Sequence, residues 1–262
     1  MITIKSRREF AKMQKAGAAV AAVHEAVREA AGSGVTLLAL EDIGAKVIAE
    51  HGCTSSFLNY LGNYPATLCL SPNDVIVHGI PNDYRLREGD ILSVDAGAIF
   101  EGFHGDAAFT MGIGQVSVDA QRLIDVTEEG MWAGIREVHK GSRLGDIGAA
   151  IHAAGEANGY GVVEEYVGHG IGREMHEEPQ VPNYGSPGTG LKLKSGMALC
   201  IEPMFNAGAR ETKVDGDGWT VRTKDGSLSA HWEHTVAITP DGPMIFTAAA
   251  QPIPVGEAIT AS

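Results

Sequence analysis

The chain reads as an α+β protein of two pseudo-symmetric helix-and-strand halves, on three observations. Short motifs recur in the same order in both halves: Asp42-Ile-Gly-Ala45 as Asp146-Ile-Gly-Ala149, His78-Gly-Ile80 as His169-Gly-Ile171, Gly89-Asp-Ile-Leu-Ser-Val-Asp95 as Gly196-Met-Ala-Leu-Cys-Ile-Glu202, and His104-Gly-Asp106 as His231-Trp-Glu233. The separations between copies are unequal, as related halves with inserted loops would show and an array of many short repeats would not. No linker-like composition divides the halves, so they are expected to share one domain with the functional site at their junction.

The elements follow in chain order. Ser6-Arg-Arg-Glu9 has the form of a capping box, and Phe10, Met13, Ala16, Val20, Val23 and Val27 keep a three-or-four spacing. This predicts a long first helix ended by Gly32 to Gly34. Leu40, Ile43 and Val47 share one face of a second helix, and strands are predicted over 74–77, 91–95 and 107–111. In the second half, helices carry Ile124, Met131, Ile135 and Val138, then Leu144, Ile147 and Ile151. Strands are predicted there over 162–166, 198–202 and 235–238. A single domain is placed at 1–250, with halves of about 1–112 and 113–250, and the Pro/Ala-rich stretch 251–262 is expected to be a loose tail.

With 262 residues, 44% hydrophobic and 20% charged, the chain can bury a sizeable core. No uncharged apolar run is long enough to cross a bilayer, so no membrane association is expected. A net charge of −13 argues against direct nucleic-acid binding, because phosphate neutralisation needs clustered Lys and Arg. Cys53, Cys69 and Cys200 are odd in number and form no C-x-x-C pair, which argues against a disulfide framework and fits a reducing cytoplasm. The segment MITIKSRREF lacks the apolar stretch of a secretory signal.

Two acids stand where carboxylates are costly. Asp95 follows Ile-Leu-Ser-Val and Glu202 follows Ala-Leu-Cys-Ile, and an ionised carboxylate ending an apolar strand needs a cation or dense hydrogen bonding. The repeat adds Asp106 and Glu233 as a second pair and contributes His169. Four carboxylates and one imidazole converging between the halves suit two divalent first-row ions. Singly, each acid reads as readily as a solvated strand end; the paired recurrence favours the site. His78 alone reads as a core or loop histidine, and its echo at His169 moves it towards the site. His176 follows Gly168-His-Gly-Ile-Gly172 and has no such echo. There is no P-loop, no full Rossmann fingerprint and no G-x-S-x-G elbow. His231-Trp-Glu-His234 leads into a strand, where alternation puts its two histidines on opposite faces, and His234 is read as structural.

Jointly, Asn73-Asp-Val-Ile-Val-His-Gly-Ile-Pro81, Gly102-Phe-His-Gly-Asp106, Gly168-His-Gly-Ile-Gly172, Glu202-Pro-Met204 and Glu233-His-Thr235 resemble the type I methionine aminopeptidases, over roughly residues 3 to 247. The resemblance implies the pita-bread (creatinase/aminopeptidase) fold with a dimetal site between its halves. It implies Asp95, Asp106, His169, Glu202 and Glu233 as ligands of two divalent ions (Co, Mn, Fe or Zn), with Asp106 and Glu233 bridging. It implies His78 and His176 beside the scissile bond, and Tyr64, Cys69 and Trp219 around the methionine side chain. The activity implied is removal of the N-terminal methionine from nascent polypeptides when the second residue is small. A dimetal-activated hydroxide would attack the carbonyl, Glu202 would shuttle its proton, and His78 and His176 would hydrogen-bond the oxyanion or scissile amide.

A cytoplasmic monomer in transient contact with the ribosome is implied as well. Val77 replaces a cysteine often seen before the histidine, and no second tyrosine stands at Leu61, so pocket detail departs from the family pattern. Only 33 positions separate His169 from Glu202, which leaves no room for the type II insertion. The chain's own second residue, Ile2, is large, so its Met1 is expected to be retained. Two other readings stand beside this one: an X-Pro aminopeptidase or dipeptidase of the same fold, and a non-catalytic ribosome or RNA adaptor.

Overall fold

Ser6 caps helix α1 (Arg7–Ala30): its hydroxyl accepts the Glu9 N–H at 3.3 Å, and the Glu9 carboxylate accepts the Ser6 N–H at 2.9 Å. The computed structural model describes residues 1–248 and 253–255. The predicted apolar positions of α1 are its buried face. Thr36 caps α2 (Leu37–Glu50), and Asp42 lies inside this helix. Short strands β1 (Thr54–Ser55), β2 (Leu68–Pro72) and β3 (Val75–Val77) lead to a long hairpin of β4 (Ile91–Phe100) and β5 (Phe103–Gly112). Both hairpin strands outrun the predicted 91–95 and 107–111, because Glu101 (φ 47°) and Gly102 (φ 77°) make a two-residue turn whose positive φ values match the strand twist. Their Gly- and Ala-rich distal residues carry no strand signal of their own.

The second half again places helices before strands. Ser117 caps α3 (Val118–Arg136), and the Asp146 carboxylate accepts the Arg143 N–H at 2.7 Å where α4 (Leu144–Ala157) begins. Val138, expected in α3, lies beyond its end but is buried. There follow β6 (Gly161–Val162), β7 (Gly168–Gly170), β8 (Glu177–Val181), β9 (Ala198–Ile201) and β10 (Met204–Asn206). Then come β11 (Thr212–Val214), β12 (Val221–Thr223), β13 (Ser229–His231), β14 (Glu233–Thr239) and β15 (Gly242–Ile245). The predicted strand 162–166 stops at Val162, because β6 has only the three-residue β10 to pair with before the chain turns away. Within the stretch expected as a loose tail, β16 (Ile253–Pro254) pairs with β15 and Val255 is buried in the core; the rest of 251–262 lies outside the described residues.

Among the described residues, ten strands form one antiparallel sheet, ordered β1-β4-β5-β14-β9-β7-β8, with β2 added at β4, β15 at β14 and β16 at β15. The halves meet where β5 pairs with β14, Glu233 opposite Ala108 and His234 opposite Ala107. Helix α1 crosses β4 and β5, and α3 packs on β5, β9, β10 and β13. The crossing of α1 is close: a Cβ on Gly105 would lie 2.7 Å from the Gly17 nitrogen.

Candidate active site

Sheet register gathers the acids. Asp95 on β4 and Glu233 on β14 both stand opposite Ala108 of β5. Side chains alternate, so Ala108 shares its face with Asp106, and three adjacent strands each turn a carboxylate to the same side. On the far flank of β14, β9 pairs Ile201 with His234, which carries Glu202 to the sheet position beside Glu233. His169 on β7 completes the group, its Nε2 3.4 Å from Glu202 Oε1 and 3.8 Å from Asp106 Oδ2. Its Nδ1 lies 2.9 Å from the Gly170 carbonyl; donation there leaves the Nε2 lone pair facing the acids.

Among the described residues, no lysine or arginine pairs with this cluster. Asp95 Oδ1, Asp106 Oδ1, Glu202 Oε1 and Glu233 Oε1 are buried without a hydrogen-bond partner. Burial pushes the Asp106 carboxyl up to about 7, and burial with mutual repulsion raises Asp95, Glu202 and Glu233 well above the ordinary carboxylate range. Burial lowers His169 to about 3, so its ring is neutral and free to coordinate. Donor atoms of Asp106, His169, Cys200 and Glu233 lie within 4.8 Å of one another, as do those of Glu202, His231 and Glu233. Burial raises the Cys200 thiol, which sits 3.7 Å from the Thr235 hydroxyl beneath the acids.

A cavity of about 290 Å³ opens above the carboxylates and is lined by all ten residues nominated from sequence. Cys69 reaches it because β2 places it opposite Asp95, on the acids' face. The Glu41 carboxylate on α2 accepts the N–H groups of Thr67 and Leu68 at 2.5 and 2.8 Å, fixing the start of β2. Tyr64 is buried, its hydroxyl 3.0 Å from the Leu68 carbonyl and 3.1 Å from that of Gly79. Strand β12 pairs with β3 at Val221 and Val77, which brings the preceding Trp219 edge-on to Tyr64 with ring centres 5.2 Å apart. Asp217 holds that turn by accepting the Trp219 and Thr220 N–H groups, each at 2.8 Å.

The two histidines stand at different depths. His78 follows β3 in the left-handed region (φ 59°), costly for a residue with a Cβ, with its ring 5.8 Å from Tyr166. Burial lowers it to about 4, so it is neutral at pH 7. His176 sits at the exposed mouth with its ring centre 4.2 Å from that of His169, and its Nδ1 is 2.5 Å from the Tyr60 hydroxyl.

The sequence reading missed Phe57, Tyr60, Met175, Tyr166 and His231 in the cavity wall. Tyr60 supplies the second phenol that Leu61 does not: left-handed Asn59 (φ 63°) and Leu61 (φ 48°) bracket it in an irregular turn. No periodicity marks such a turn. His231 had a usable signal, since it stands two residues before Glu233, where alternation turns both to one face.

A model of metallopeptidase family M24 matches residues 11–240. The methionine aminopeptidase of Clostridium perfringens is 47% identical over 247 residues, covering 94% of this chain and 99% of that protein. The chain belongs to the methionine aminopeptidases of family M24. The crystal structure of methionine aminopeptidase from Thermotoga maritima superposes with a TM-score of 0.92 at 43% identity, over 94% of this chain and 99% of that one. Prolidase from Pyrococcus furiosus shares the fold with a TM-score of 0.75, but at 20% identity and over only 65% of its own length. The pita-bread fold expected from sequence is the fold of the chain. Membership makes the chain a metal-dependent aminopeptidase with a dinuclear divalent centre, and the buried, unpartnered carboxylate oxygens fit those ions. Among the described residues, no helix is long and apolar enough to cross a membrane.

Proposed function

We propose that the chain removes the N-terminal methionine from nascent polypeptides whose second residue is small, with Asp95, Asp106, His169, Glu202 and Glu233 holding two divalent ions. The observation that carries this reading is the junction of that cluster with a cavity of about 290 Å³ walled by Tyr64, Cys69, Met175 and Trp219. Sulfur and aromatic edges make favourable contacts with a thioether.

The ions, when bound, lower the pKa of water so that it serves as a nucleophile at neutral pH. The protein's own groups do the rest. Asp95, Asp106, His169 and Glu233 would hold those ions, Asp106 and Glu233 standing on adjacent strands. Glu202 would accept the proton of the attacking water and return it to the leaving amine. His78 and His176, neutral at pH 7, donate to the oxyanion or the scissile amide. The free α-amine of the substrate fits a site closed on the sheet side, which suits an exopeptidase.

The three cysteines are free and buried, which supports a reducing, cytoplasmic setting, and the charge of −13 weighs against direct RNA binding. The test is competition among tripeptides with Mn²⁺- or Co²⁺-loaded protein. Met-Ala-Ser is expected to release methionine at least about tenfold faster than Met-Leu-Ser, and Ala-Pro-Ala to remain intact. Cleavage of Ala-Pro-Ala with Met-Ala-Ser untouched would make the chain an X-Pro enzyme.

A further inference from the structure

His231 is buried at 2% exposure in the wall of the cavity, and its Nε2 has no hydrogen-bond partner among the described residues. An orphaned nitrogen in such a place needs something to bind. The side chain is not there by looseness of the chain. Thr110 clasps its backbone, its hydroxyl accepting the His231 N–H at 2.9 Å and donating to the His231 carbonyl at 2.8 Å. Thr110 is itself 2.8 Å from the Ser93 hydroxyl, its partner across β4 and β5.

The nearest charged atom is Glu202 Oε2, 3.9 Å from Nε2 and beyond hydrogen-bonding reach. That spacing suits two donors on one ion: ligands at 2.0–2.2 Å from a metal lie at most about 4.4 Å apart. His169 Nε2 and Asp106 Oδ2, both placed in the cluster above, are 3.8 Å apart. Glu202, His231 and Glu233 form such a triad together. We infer that His231 supplies a sixth protein ligand and second imidazole to the dinuclear centre, on its Glu202–Glu233 side. The inference rests on the dimetal reading above.

The test compares metal-stripped wild type with His231→Gln, titrated with Co²⁺ by calorimetry and followed by visible absorption. Wild type is expected to take two ions; the variant is expected to lose at least about tenfold in affinity for one of them, with a changed Co²⁺ band. Loss of an outer hydrogen bond would also weaken affinity, so ligation is decided on the Co²⁺-loaded wild type by proton NMR. Two strongly shifted imidazole N–H resonances, from His169 and His231, are expected, and this readout stands even if the variant does not fold. A single shifted resonance, or unchanged affinities and spectrum in His231→Gln, overturns the inference. Failure of wild type to bind two ions would instead remove the dimetal reading itself.

Discussion

His24 shows what burial does to an imidazole that faces no acid. It packs edge-on to Phe109 with ring centres 4.7 Å apart, and its Nε2 lies 3.0 Å from the Ala107 carbonyl. Burial, with Arg28 and His234 nearby, lowers it to about 3. The folded ring stays neutral until about pH 3, whereas the unfolded ring protonates near 6.5. Between these values the unfolded chain binds the extra proton, so stability falls as pH falls, by up to about 1.4 kcal/mol per pH unit for this one group. His24→Gln keeps an N–H donor and removes the titration. Its stability, measured by urea unfolding at pH 4, 5 and 6, is expected to decline less steeply than that of wild type by about one proton's worth; an unchanged slope would contradict this. At the same scale, Asp95 and Glu202 were legible because an acid closing an apolar run is conspicuous. Alternation sent His234 to the helical side, where it meets Thr247 at 2.9 Å and Trp132. The corollary for His231 depends on β13 and β14 running on without a change of phase, which sequence does not reveal.

Helix α1 depends on Gly17 as well as on its buried face. A Cβ on Gly17 would sit 2.1 Å from the Phe246 carbonyl oxygen, so the helix could not keep its place on the sheet. An uncrowded helical glycine gains up to about 1 kcal/mol when replaced by alanine. Here the sign is expected to reverse: Gly17→Ala should destabilise by about 1–3 kcal/mol, seen as a lower urea midpoint at constant slope. A stabilised variant would show that the crowding is relieved cheaply. The four helices were readable because their caps and three-or-four spacing are local properties, as Ser6 and Phe10 to Val27 illustrate. Strand β2 was not, since Leu68–Pro72 is a five-residue run ending in proline and is held in place by Glu41 and β4, both distant in sequence. Register is likewise non-local, and it decides that Cys69, Asp95, Asp106 and Glu233 share one face.

Across the whole molecule, two halves of similar plan are joined along β5 and β14, and each contributes an acid from a strand and an acid from its end or its neighbour. The repeat of His78-Gly-Ile80 at His169-Gly-Ile171 and of Asp95 at Glu202 made this junction visible in the sequence, because copies of a motif must occupy related positions in related halves. The pocket was less visible: Tyr60, Met175 and Tyr166 come from turns and loops, whose side-chain directions follow no period. Assembly of the centre from both halves also means that the metal-free protein holds four clustered carboxyl groups, Asp106 and Glu233 buried and Asp95 and Glu202 partly so, with no lysine or arginine paired to them among the described residues. The most direct measurement is methionine release from Met-Ala-Ser as Mn²⁺ or Co²⁺ is added stepwise to stripped protein, with Glu202→Gln alongside. Release should be absent without metal, rise with added ion, and fall at least about a hundredfold in the variant, as loss of a proton-transfer group predicts. Release by the stripped protein, or undiminished release by Glu202→Gln, would contradict the metal-assisted mechanism assigned to this site.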